Sequence, residues 1–100
     1  MRHAWVLALL LVGCKRDDVV LCEGSTAKWR QVQEMLANQG LRGPVTDDEV
    51  RTEQARCVDA VDKLKSGPKD CLGRCYAKAP DRDALLDCDR NCSVVVQQAP

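Results

Sequence analysis

Seven cysteines in a chain of 100 residues carry the widest range of chemistry on offer here. A thiol can act as a nucleophile, a metal ligand, an acyl acceptor or half of a disulfide. Four of the seven share one spacing, Cys71-x3-Cys75 and Cys88-x3-Cys92, which sets two sulfurs a turn apart on one helix face. Cys14, Cys22 and Cys57 stand apart. The single histidine is His3, so the rest of the chain has no imidazole general base, no histidine metal ligand and no Cys-x-x-Cys-His haem attachment. Catalysis by a Ser-His-Asp or Cys-His arrangement is thereby excluded past the N-terminus. Four thiolates could hold zinc, but such sites favour Cys-x2-Cys knuckles, and no Cys-x-x-Cys redox pair occurs. Asp59, Asp62, Asp81, Asp83, Asp87 and Asp89 read as solvent-facing or helix-starting carboxylates. A chain this short leaves little room for a ~300 Å³ cleft beside a core. The expectation is a protein with no catalytic role, no cofactor and no bound metal.

The apolar run from Ala4 to Val12 has a basic residue, Arg2, before it and Lys15-Arg16-Asp17-Asp18 after it. It is too short to span a bilayer, which takes roughly 20 apolar residues. It fits the apolar region of an export signal, about 7–15 residues long. The run ends in Leu11-Val12-Gly13-Cys14, which resembles the lipobox of bacterial lipoproteins. The resemblance covers only the N-terminus. It implies cleavage between Gly13 and Cys14, with Cys14 lipidated as the first residue of the mature chain. Two or more acyl chains hold a protein at a membrane almost permanently, whereas one gives only marginal binding. Lys15, and not an aspartate, follows the cysteine, and within that family this leans toward the outer membrane. The implied division is a signal over residues 1–13, a lipidated cysteine and short tether over 14–24, and a cysteine-rich helical domain over 25–100.

Setting Cys14 aside leaves six cysteines for an oxidising compartment, where three disulfides are the natural outcome. In an antiparallel helical hairpin, facing residues lie symmetrically about the turn. Cys71 with Cys92 and Cys75 with Cys88 share one centre, between Asp81 and Arg82, where Pro80-Asp81 independently predicts a turn. The crossed pairing, Cys71 with Cys88 and Cys75 with Cys92, has two different centres and no single register. Cys22 then pairs with Cys57 and ties the first helix to the second.

The elements that must position these sulfurs read as helices. Ser25 or Thr26 can cap a first helix carrying Trp29, Val32 and Leu36 as a core stripe, with Asn38 and Gly40 marking its stop. After a loop over residues 41–45, Thr46-Asp47-Asp48-Glu49 forms a capping box. The second helix then carries Val50, Cys57, Val58, Val61 and Leu64, with Asp59 and Lys63 paired on its wet side. Ser66-Gly67-Pro68 ends it, and Pro68 suits the first position of a third helix bearing Cys71, Leu72, Cys75 and Tyr76. Asp81 caps a fourth with Leu85, Cys88, Cys92 and Val95 on one face. Val94-Val95-Val96 is expected to close the bundle. The predicted fold is all-α, about four short helices, disulfide-stapled, ending in a helical hairpin.

Composition makes the staples necessary. There is no Phe and no Ile, and Leu with Val make up only about a fifth of residues 14–100, a level at which disorder is the usual outcome. Fifteen Lys and Arg balance fifteen Asp and Glu, so no basic field points to nucleic acid. The twin Cys-x3-Cys hairpin over residues 71–92 is similar to coiled-coil-helix proteins, a likeness of stapling that carries no function with it. The expected function is that of a small envelope lipoprotein, a structural or protein-interaction module held to the bilayer by acylated Cys14, whose partner is an envelope protein close to the membrane. The alternatives are a periplasmic metal-binding or redox protein that uses the Cys-x3-Cys pairs, and an inhibitor or chaperone for exported proteins.

Overall fold

A computed structural model describes residues 17–97, which form four α-helices and no strand among the described residues. They are α1 (Asp17–Asn38), α2 (Asp47–Asp62), α3 (Ser66–Lys78) and α4 (Arg82–Asn91). The helix α1 is the common wall, packing on α2, α3 and α4, while α3 and α4 pack on each other as the expected hairpin. No helix among the described residues is long and apolar enough to cross a membrane.

The caps follow the sequence closely. Asp81 accepts from the Ala84 amide at 2.9 Å and opens α4, and Thr46 Oγ1 accepts from the Glu49 amide at 3.2 Å and opens α2. The reciprocal half of the capping box is replaced: the Glu49 carboxylate pairs with Arg42. That same guanidinium donates to Gln33 Oε1 at 2.8 Å, so Arg42 fastens the α1–α2 loop to both of its helices. Gly40 ends α1 in the left-handed region at φ 74°, and the Leu41 amide closes back on the Leu36 carbonyl at 2.9 Å.

Three boundaries and one face differ from expectation. The first helix is already formed at Asp17, eight residues before Ser25, where Cys22 is locked to α2. Ser25 and Thr26 are therefore buried interior residues and not caps. The helix α2 ends at Asp62, and Ser66-Gly67-Pro68 opens α3 instead of closing α2. Pro68 is tolerated there because first-turn amides have no partner inside the helix. The stripe Trp29, Val32 and Leu36 is only half-buried and lies outside the core.

The buried face of α1 is instead polar: Asp18, Cys22, Ser25, Thr26 and Gln33. Each such group must find a partner when it leaves water. Thr26 Oγ1 donates to Gln54 Oε1 at 2.8 Å, and Gln54 Nε2 donates to the Val19 carbonyl at 3.2 Å, so one glutamine of α2 clasps two turns of α1. The apolar core is small. Among the described residues it comprises Val61, Leu72, Tyr76, Ala79, Leu85 and Val96 with four half-cystines, Cys22, Cys57, Cys88 and Cys92. Sulfur supplies the bulk that Ile and Phe provide elsewhere. Of the three valines in the tail, Val96 is fully buried, Val94 half-buried and Val95 84% exposed, so one side chain closes the bundle.

Candidate functional site

The structure contains three disulfides: Cys22–Cys57, Cys71–Cys92 and Cys75–Cys88. Their Cα–Cα distances of 5.8, 5.8 and 5.7 Å fall in the usual range for the bond. Two helices running antiparallel from the Asp81 cap bring the hairpin pairs opposite each other, in the register with a single centre. With every sulfur of the Cys-x3-Cys pairs bonded to its neighbour, none is a thiolate. Gly13 and Cys14 lie outside the described residues.

Asp89 was expected on a solvent face, but it is 5% exposed and organises the centre of the molecule. Its Oδ1 accepts from the Tyr76 hydroxyl, and its Oδ2 accepts from the amides of Val96 and Gln97 at 2.9 and 2.6 Å. Gln97 Nε2 in turn donates to the Tyr76 oxygen at 3.1 Å and to Ser25 Oγ. The network joins α1, α3, α4 and the tail through four side chains. The signal for Asp89 was present in the sequence: it stands at i+4 from Leu85, inside the apolar stripe of α4.

Burial pushes the Tyr76 hydroxyl well above its ordinary value of 10, and its bond to Asp89 pushes it the same way. An acid with a raised folded-state pKa stays protonated while the unfolded chain ionises, so the folded state binds more protons there. Stability is therefore fully present below about pH 10 and falls as pH rises beyond it. Tyr76 is the only tyrosine, so tyrosinate absorbance reports this one group. That absorbance is expected to appear together with loss of helical circular dichroism, and Tyr76→Phe is expected to flatten the alkaline limb of the stability curve. Ionisation near pH 10 with the helices intact would contradict this account.

Against one face of this centre lies an open groove of about 620 Å³ between the N-terminal half of α1 and α3. A concavity of ligand size was not expected in so short a chain. A glycine from each helix, Gly24 of α1 and Gly73 of α3, lines it. Leu21, Val61 and Tyr76 supply apolar lining. Lys28, Lys69 and Arg74 contribute positive charge, and Asp17, Asp18 and Asp70 contribute negative charge.

The two glycines are not imposed by helix packing. A Cβ on Gly73 would sit 3.7 Å from Leu21 Cδ1, and one on Gly24 would sit 4.0 Å from Lys28 Nζ, both ordinary contacts. Each glycine in a helix interior costs about 1 kcal/mol relative to alanine. That cost is not imposed by a helix contact that a Cβ would forbid.

Among known proteins, no family model matches the chain, and no curated protein or solved structure is significantly similar to it.

Proposed function

We propose that the chain is a small lipid-anchored protein of the bacterial envelope, a non-catalytic structural or protein-interaction module held at the membrane through Cys14. One observation carries the reading: the apolar run from Ala4 to Val12 ends in Leu11-Val12-Gly13-Cys14, a sequence that resembles a lipobox. On this reading residues 1–13 are removed, Cys14 is acylated, and Lys15 at the next position favours the outer membrane. Three disulfides are in keeping with an oxidising compartment. Of the rival uses of the Cys-x3-Cys pairs, metal binding needs four free thiolates where these sulfurs are paired, and redox exchange is disfavoured by the lack of a Cys-x-x-Cys motif.

With α1 already formed at Asp17, the tether is shorter than residues 14–24. Asp17 is three residues from Cys14, so at ~3.3–3.6 Å per residue it lies within roughly 10–11 Å of the lipidated residue. Any partner must therefore come close to the membrane. In cells fed a radiolabelled fatty acid, the wild-type chain is expected to take up label and sediment with membranes. Cys14→Ser is expected to lose the label and most of the sedimenting protein. Label and membrane fraction unchanged in Cys14→Ser would overturn the anchor. Cross-linking in intact cells is expected to capture an envelope protein, and capture of none would count against the interaction role.

A further inference from the structure

We propose that the groove between α1 and α3 takes the zwitterionic headgroup of a membrane phospholipid, with Lys28, Lys69 and Arg74 facing its phosphate and Asp17 and Asp70 its ammonium group. The occupant rests on the lipid anchor proposed above; the groove itself does not.

Three observations lead to this reading. Asp17, three residues from Cys14, is itself part of the groove wall, so a lipid on Cys14 holds that end of the groove within roughly 10–11 Å of the point of attachment. Bilayer headgroup layers are about 5–8 Å deep on each side of the hydrocarbon, so that reach brings this end of the groove close to the headgroups. Next to it Val20, another groove residue, is 53% exposed, an apolar side chain suited to the interface.

The second observation is charge. The groove carries three cationic and three anionic side chains, which complements a ligand with both signs and does not favour a strongly acidic or strongly basic partner. Lys28 turns back along the groove, its Nζ 3.5 Å from the Gly24 carbonyl, so its ammonium group already lies over the glycine. The third is the glycine pair itself. Gly24 and Gly73 are interior helix positions where alanine fits without a clash, and both open into the same space. Filling that space should strengthen the fold while weakening binding, which separates a ligand role from a packing role.

The test is a titration of the isotopically labelled processed protein, in detergent micelles, with glycerophosphoethanolamine, which is the headgroup without acyl chains. Saturable shifts are expected at the Gly24, Lys69 and Gly73 amides. Lys69→Gln with Arg74→Gln should weaken the binding at least tenfold, and Gly73→Leu should abolish it. Gly24→Ala and Gly73→Ala should raise the melting temperature by roughly 4–8 °C each. The absence of saturable shifts, their persistence in Gly73→Leu, or equal shifts with glycerophosphate alone would overturn the proposal. A photo-cross-linker at Ala77 in living cells is expected to capture phospholipid, and capture of a polypeptide there would overturn it too. The mass of the purified protein reports acylation independently, so a failed anchor and an unoccupied groove give different results.

Discussion

Full reduction is expected to unfold this protein at 25 °C, with loss of its helical circular dichroism and of any cooperative melt. The bridges span sequence separations of 35, 21 and 13 residues. In the chain-entropy account, closing loops of those lengths stabilises by roughly 3–4 kcal/mol each. Together that is about 10 kcal/mol, as large as the whole stability expected of a domain this size, about 4–12 kcal/mol at 0.05–0.15 kcal/mol per residue. The apolar core has no reserve to replace it, since four of its members are the half-cystines themselves.

The three contributions are unequal. Cys22–Cys57 closes the longest loop and is the covalent link between α1 and α2, so Cys22→Ala with Cys57→Ala should be the most damaging single-bridge change, at about 4 kcal/mol. Cys75–Cys88 is nested within Cys71–Cys92. Once the outer bridge is closed, the inner one restricts little additional chain, so removing either should cost less than its isolated value. Removing both should cost more than the two single losses added together. Denaturant melts of the three single-bridge variants and the hairpin double variant measure this order. A reduced chain that kept its helix signal and a cooperative transition would show that side-chain packing alone suffices, contrary to this account.

The parts of the fold legible in the sequence were those set by local chemistry or by covalent geometry. Asp81, Thr46 and Gly40 act within one turn of the chain, and each works as its residue type predicts. The hairpin register was legible because two Cys-x3-Cys pairs admit only one antiparallel alignment about Pro80-Asp81. The buried face of α1 was not. Periodicity identifies a core face by its apolar residues, and on α1 this rule selected Trp29, Val32 and Leu36, whereas the helix buries Ser25, Thr26 and Gln33. Those polar groups are buried because Gln97, Gln54 and Arg42 meet them from positions 72, 28 and 9 residues away. Pairing over such distances leaves no local mark. The groove was missed for a related reason, since a glycine inside a helix reads as a weakness until the glycine facing it is known. Gly24 and Gly73 belong to different helices, and only the packing of α1 on α3 brings them to one space.

The burial of Asp89 yields the second large expected effect. Asp89→Ala removes the acceptors of three donors at once, the Tyr76 hydroxyl and the Val96 and Gln97 amides. A buried donor left without a partner costs about 1–3 kcal/mol, so the loss should be at least ~3 kcal/mol even if water enters the space. Asp89→Asn should cost less. Its single carbonyl can serve the two tail amides, while its amide faces a tyrosine oxygen able to accept if the hydroxyl turns. The two substitutions therefore separate the worth of the tail contacts from that of the tyrosine bond. Coupling should follow as well: Tyr76→Phe combined with Asp89→Ala should destabilise less than the two separate losses added, because both remove the same bond. Hydrogen exchange at Val96 and Gln97 gives the local measure. Both amides should exchange slowly in the wild type and become fast in Asp89→Ala, while the Asp81 cap of α4 stays intact. If they exchange freely in the wild type, the tail is not held by Asp89. Val96 would then have no latch, and the bundle would have to close by apolar contact alone, with a core that among the described residues has only three other fully buried aliphatic side chains, Val61, Leu72 and Leu85.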